Sequence, residues 1–187
     1  MPNGEGMMLK KGFLVLILLL IALSACQAPA EEEGRPLEGE PFAIYLISDP
    51  QITSPDLKNY DLDELPLAAE PLLVTDELIG YNWELHTFDL TQEAYFKLIT
   101  IFSGGLPMSG LPFAVVAYEE PIYAGAFWAL FSSLSFDGVV ILQPMDPAGQ
   151  TMQIALGYPG AEFFTGEDPR GNPRLQQALE DAGLIRE

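Results

Sequence analysis

The only histidine in the chain, His86, is the one conventional side chain that could act as a base near neutral pH. A serine–histidine–acid hydrolase would need a serine folded beside it. Neither a G-x-S-x-G elbow nor an S-x-x-K motif surrounds the candidate serines, which are Ser103, Ser109, Ser132, Ser133 and Ser135. We therefore favour a half-buried histidine hydrogen-bonded within a sheet, and keep His86 as a candidate binding or catalytic residue.

The most polar cluster is TGEDPRGNPR, residues 165–174, which contains Arg170 and Arg174. These two guanidinium groups could hold an anion at the start of a C-terminal helix. The interpretation that we favour is a capped loop in which the arginines pair with Glu167 and Asp168, because such clusters more often have that structural role.

The acidic residues offer no convincing metal site. Asp61, Asp63 and Glu64 alternate like the start of a calcium loop, but Pro66 and Leu72 occupy the positions that need a glycine and a bidentate acid. The glycine-rich SGGLPMSGLP lacks the lysine and the spacing of a phosphate-binding loop. We expect no metal and no cofactor.

Aromatic residues are dense in GAFWALFSSLSF, residues 125–136, where Trp128 and its neighbours could line a cleft for an apolar or sugar ligand. A domain of this size also needs such residues inside, and we favour the core. An exposed apolar patch around Trp128 would instead favour a surface for a partner protein.

The single cysteine, Cys26, ends an apolar run, residues 12–25, that is too short to cross a bilayer and follows two lysines. The sequence Leu23-Ser24-Ala25-Cys26 resembles the lipobox of bacterial lipoproteins. That resemblance implies that residues 1–25 are a signal peptide and that Cys26 receives fatty acyl chains, palmitate among them. We therefore expect a protein anchored to the extracytoplasmic face of the cell membrane, or to the outer membrane in a bacterium with two membranes.

Removing residues 1–25 takes away two lysines and one glutamate, which leaves 6 basic and 26 acidic residues and a formal charge of −20. Nucleic acid and anionic lipid headgroups are poor partners for such a surface. Because the only thiol would be acylated, disulfides and thiolate catalysis are also excluded.

Residues 26–40 combine glycines, prolines and acids without an aromatic residue, and we interpret them as a flexible tether. Residues 41–187 have the size of one domain. Their pattern predicts an α+β fold with a mixed or antiparallel sheet, one central helix and a C-terminal helix. The first part comprises a strand at 41–47 and an irregular excursion ending in a short strand near 72–74.

A strand at residues 83–90 and a helix at 92–102 come next, with Thr91 as the helix cap. The run FAVVAYEEPIYAGAFWAL predicts two strands about a turn at Glu119-Glu120, and GVVILQ and TMQIALG predict another pair. The last helix is expected to start at Asn172 and to end at Gly183.

Two further resemblances concern the folded region. The order LVTDELIGYNWELHTFDLTQEAYFKLI, a glycine-rich break, and PFAVVAYEEPIYAGAF resembles the first periplasmic head domain of SecD-type translocase subunits over residues 73–141. It implies a strand, a helix and a hairpin in that order. The patterns GAFW…SSLSFDG and GYPG…FFTGEDPR resemble a family of small bacterial lipoproteins, and this resemblance implies no particular activity.

Taken together, these features predict a lipid-anchored, non-catalytic binding or protein-interaction module of the cell envelope. Its partners would be the membrane, through Cys26, and an envelope protein or a small ligand, with His86, Trp128, Arg170 and Arg174 as candidate contacts. The alternatives are an envelope hydrolase that uses His86 with a serine and an aspartate, and a small solute-binding lipoprotein.

Overall fold

The structure, a computed structural model, describes residues 39–146 and 148–186. The predicted signal peptide, the acylation site at Cys26 and most of the predicted tether lie outside these residues. Within them, no helix has both the length and the apolar character needed to span a bilayer.

In the described part of the chain, nine strands form one mixed sheet, which confirms the predicted α+β class. The sheet order is β2-β1-β5-β6-β7-β8-β4-β3-β9. Neighbouring strands are antiparallel except for β6 with β7 and β3 with β9. The strands are β1 (Ala43–Leu46), β2 (Leu73–Val74), β3 (Leu78–Asn82), β4 (Thr87–Leu90), β5 (Leu111–Ala117), β6 (Glu120–Trp128), β7 (Phe136–Leu142), β8 (Thr151–Tyr158) and β9 (Ile185–Arg186).

Two α-helices occupy the predicted positions, α1 (Gln92–Phe102) and α2 (Pro173–Asp181). The hydroxyl of Thr91 accepts a hydrogen bond from the backbone of Ala94, which caps α1. The side chain of Asn172 caps α2 in the same way. Apolar side chains of both helices pack in one cluster with side chains of the sheet, including Leu98, Phe102, Phe113, Phe127, Leu175 and Leu179.

A second, smaller apolar cluster lies where residues 48–72 pack on β1, β5 and β6, and it contains Ile47, Ile52, Leu65 and Ala114. This excursion contains two 3-10 helices, Ser54–Asn59 and Leu62–Glu64, and is otherwise irregular. The predicted irregular excursion with a short terminal strand is therefore confirmed.

The predicted strand at residues 83–90 is wrong in its first half, because β3 ends at Asn82 and residues 83–86 form the turn that leads into β4. The hairpin turn between β5 and β6 lies one residue earlier than predicted. Ala117 pairs with Glu120, and the two turn residues, Tyr118 and Glu119, have φ values of +49° and +67°. Positive φ values at both central residues are typical of a type I′ turn, whose twist matches that of the paired strands.

Candidate functional site

His86 lies in the β3–β4 turn with a φ of +49°, and not in a strand as the sequence predicted. Its backbone carbonyl accepts a hydrogen bond from Ile154 of β8. The side-chain Nδ1 lies 3.4 Å from the hydroxyl of Tyr81. The rings of Trp83 and His86 are packed edge to face, with their centroids 5.9 Å apart. The imidazole is therefore half-buried between aromatic side chains at one end of the sheet.

Burial lowers the pKa of His86, and the positive charge of Arg170 lowers it further, while Asp168 opposes the shift. Burial also raises the pKa of Tyr81 far above its usual value, so the Tyr81 phenol stays protonated beside Nδ1. A neutral imidazole could accept a proton, but its hydrogen-bond partner is this phenol. No serine hydroxyl bonds to His86 among the residues that the structure describes.

The Arg170 guanidinium binds an acid of its own loop and the backbone of β8. Its Nε and Nη2 donate to the two carboxylate oxygens of Asp168 at 2.9 and 2.6 Å, and its Nη1 donates to the carbonyl of Ile154 at 2.7 Å. This bidentate geometry is the strong form of the arginine–carboxylate pair. The hydrogen bond from the Arg170 side chain is the main reason that the pKa of Asp168 is lowered.

Arg174 forms an ion pair with Glu120 at 2.5 Å, and neither Glu167 nor Asp168 is its partner. The pair joins the first turn of α2 to the start of β6. Both arginines of the cluster thus link elements of the fold, and no clamp with two open guanidinium groups is formed there.

Trp128 is buried in a third apolar cluster with Ala126, Phe136 and Val140. Its ring stacks on that of Phe136, with centroids 5.0 Å apart and an angle of 10° between the planes. Gly110 packs directly against the indole, since an added Cβ would lie 2.4 Å from Cε3. Trp128 therefore supports the loops around it and does not line an open cleft.

Two loops beside Trp128 expose apolar side chains. Residues 104–110 and 129–135, called the apolar loop surface below, contain Met108, Leu130, Phe131 and Leu134, all exposed. Phe131 is 83% exposed, the largest value among these four side chains. The stretches that supply the two loops, residues 98–118 and 121–136, contain no charged residue.

The backbone of this surface is held by hydrogen bonds. The hydroxyl of Tyr158 donates to the carbonyl of Leu130 at 2.7 Å and also lies 3.3 Å from the carbonyl of Ser132. The Ser132 hydroxyl, at the limit of hydrogen-bond distance, lies 3.5 Å from the carbonyl of Met108 and links the two loops. Hydrogen bonds therefore hold the backbone on both sides of the exposed Phe131.

A groove of about 290 Å³ adjoins the apolar loop surface at Leu130 and is lined further by Leu142, Pro144 and Met145. The sequence reasoning singled out Trp128 and missed the exposed Met108 and Phe131. The sequence feature that indicates Met108 and Phe131 is the absence of charge over two long stretches of a strongly acidic chain.

The structure does not bring the four predicted contacts into one site. His86 and Arg170 are close enough for their charges to interact, whereas Trp128 belongs to a separate apolar cluster and Arg174 pairs with Glu120. In residues 39–146 and 148–186, no three His, Cys, Asp or Glu side chains are grouped so as to hold a metal ion. Neither a family model, nor a curated protein, nor a solved structure matches this chain.

Proposed function

We propose that this chain is a lipid-anchored extracytoplasmic lipoprotein of the cell envelope that acts as a non-catalytic protein-interaction module. The anchor is Cys26, as the signal-like run and the lipobox-like Leu23-Ser24-Ala25-Cys26 indicate. Several acyl chains on this cysteine hold the protein at the membrane surface, and the tether separates the folded domain from it.

The main support for the interaction role is the exposure of the apolar loop surface. Clustered exposed apolar side chains on a soluble domain mark sites where another molecule is bound. A large exposed aromatic side chain such as Phe131 is the type of residue that anchors protein interfaces. The neighbouring groove offers a place for an apolar side chain of the partner, and its Met145 can adapt to the shape of that side chain.

The partner is an envelope protein that presents an apolar patch. Lipid headgroups are less suitable because a domain with a strong negative charge is repelled by anionic membrane surfaces. The acidic surroundings of the uncharged loops favour a partner with basic residues around its apolar patch, which would speed association at low salt.

The anchor is tested by Cys26→Ser. We expect the wild-type protein in the membrane fraction and the variant in the soluble extracytoplasmic fraction, because acylation needs the thiol. Gln27→Ser, which keeps the cysteine, is the matched control and should stay with membranes. Retention of Cys26→Ser in the membrane fraction would refute the anchor.

The interaction role is tested by Phe131→Ser in the full-length protein. We expect the affinity for the envelope partner, isolated with the wild-type protein, to fall by roughly tenfold or more, because a central aromatic anchor is lost. Phe96→Ser is the matched control, since Phe96 is also exposed, at 59%, but lies on the outer side of α1.

A photo-crosslinking side chain at position 131 identifies what covers the surface. A discrete adduct with another envelope protein supports the proposal. Adducts only with lipid, or only with a second copy of the chain, would contradict it, as would equal affinities of Phe131→Ser and Phe96→Ser.

A further inference from the structure

A partly open cavity of about 210 Å³ lies between the 3-10 helices of residues 48–72 and the strands β6 and β7. Its walls are mainly apolar and include Leu57, Leu62, Ala124, Val139 and Phe164. A dry cavity of roughly 150 Å³ is large enough for benzene, so this one has room for a small ring or a short branched chain with a polar group.

Ser54 lines this cavity and has a buried hydroxyl. The residue is 1% exposed, and its Oγ has no hydrogen-bond partner among the residues that the structure describes. The nearest acid in the chain, Asp56, accepts from the backbone and the hydroxyl of Thr53. A buried hydroxyl without a partner destabilises a fold unless a bound molecule completes its hydrogen bond.

Lys58 lines the same cavity and has no ion-pair partner within the described part of the chain. The other four basic side chains there are all paired, namely Lys97, Arg170, Arg174 and Arg186. Lys58 is exposed, and it has no ion-pair partner among the described residues although carboxylates outnumber basic groups several-fold.

Asp137 is the acid that lines the cavity with Lys58, but its oxygens are already engaged. It accepts hydrogen bonds from the hydroxyl and the backbone of Thr165 at 2.6 and 2.7 Å. These two hydrogen bonds are the main causes of its lowered pKa, and Lys58 adds a smaller effect through its charge. Among the described residues Lys58 and Asp137 do not form an ion pair, and the Lys58 ammonium is available to an anion in the cavity.

We infer that this cavity binds a small monocarboxylate with a compact apolar body. The apolar walls contact the ring or the branched chain of the ligand. One carboxylate oxygen accepts a hydrogen bond from the Ser54 hydroxyl, and the carboxylate forms an ion pair with the Lys58 ammonium. This site does not depend on the apolar loop surface or on the lipid anchor.

Benzoate is the probe that tests the inference, by calorimetric titration of the full-length protein in detergent. Benzyl alcohol keeps the ring without the charge, and acetate keeps the charge without the ring. We expect saturable benzoate binding, with both matched probes at least about tenfold weaker. Absence of saturable benzoate binding in the millimolar range, or equal affinity for benzyl alcohol, would overturn the inference.

Two variants locate the bound carboxylate. Ser54→Ala should raise the dissociation constant for benzoate by about three- to tenfold, while the ligand-free protein melts at the same or a higher temperature because an unpartnered hydroxyl has been removed. Lys58→Gln should remove the preference for benzoate over benzyl alcohol. Lys97→Gln, which removes a paired lysine elsewhere, should leave binding unchanged. Unaltered benzoate binding in both Ser54→Ala and Lys58→Gln would overturn the site.

Discussion

Burial and the neighbouring Arg170 guanidinium lower the pKa of His86 below its ordinary value of 6.5. The unfolded chain therefore takes up a proton on His86 at a higher pH than the folded chain does. The free energy of unfolding must then fall as the pH drops below about 6.5, and the fall ends once the folded protein is also protonated. Well above pH 6.5 the residue is neutral in both states and adds no pH dependence.

His86→Gln should weaken this pH dependence. We expect the loss of stability between about pH 7.5 and about pH 5.5 to be smaller in the variant than in the wild type, because the titrating group is gone. Chemical denaturation at the two pH values measures the difference. Tyr81→Phe is the control, since it removes the hydrogen-bond partner and keeps the imidazole.

The same variant separates the interaction module from the hydrolase alternative. A module that does not use His86 as a base should keep its binding of the envelope partner in His86→Gln. Hydrolytic activity that is present in the wild type and lost in this variant would favour the hydrolase. A pKa of His86 above 6.5 in the folded protein, measured by NMR titration, would contradict the effect that we assign to burial.

At the scale of elements, the loop that leads into β5 is shaped by one contact between backbone and ring. Gly110 has a φ of +76°, a value that side chains rarely tolerate, and its Cα faces the Trp128 indole. Trp128 is held in turn by Phe136 and Tyr158. The position of residues 104–110 in the apolar loop surface therefore depends on a glycine.

Gly110→Ala should lower the free energy of unfolding by about 1–3 kcal/mol, because it adds both a strained φ and a clash with the indole. Denaturation followed by tryptophan fluorescence measures the change. Gly105→Ala separates the two causes, since Gly105 also has a positive φ but has open space around it. Equal losses in the two variants would show that the contact with Trp128 contributes nothing.

On the scale of the whole molecule, charge is the dominant feature. The described residues include five basic side chains, and four of these are already paired with acids. Most carboxylates are therefore unpaired and repel one another across the surface. This repulsion opposes the compact state and is weakened by salt.

Raising the sodium chloride concentration from about 0.01 M to about 0.5 M should therefore raise the melting temperature. Screening relieves repulsion among many carboxylates and weakens only a few exposed ion pairs. Differential scanning calorimetry measures the shift, and an uncharged osmolyte at matched osmolality controls for solvent effects. A melting temperature that falls with salt would mean that the ion pairs outweigh the repulsion.

Sequence alone determined the features that depend on a few consecutive residues. Thr91 and Asn172 cap the two helices as predicted, and Gly183 follows α2 with a φ of +68°. A cap satisfies backbone groups within one turn, so its signal lies in the local residues. The α+β class followed in the same way, because the apolar periodicity of strands and helices is local.

Tertiary structure decided the features that depend on residues distant in the chain. The sequence could not place β9 beside β3, since a strand of two residues carries no pattern of its own. It could not distinguish buried Trp128 from exposed Phe131, because both belong to one uncharged stretch rich in aromatic residues. Packing between distant segments likewise decided the partner of Arg174, the burial of the Ser54 hydroxyl without a partner, and the absence of an ion pair at Lys58. In each case burial and neighbouring groups determine the chemistry of the side chain.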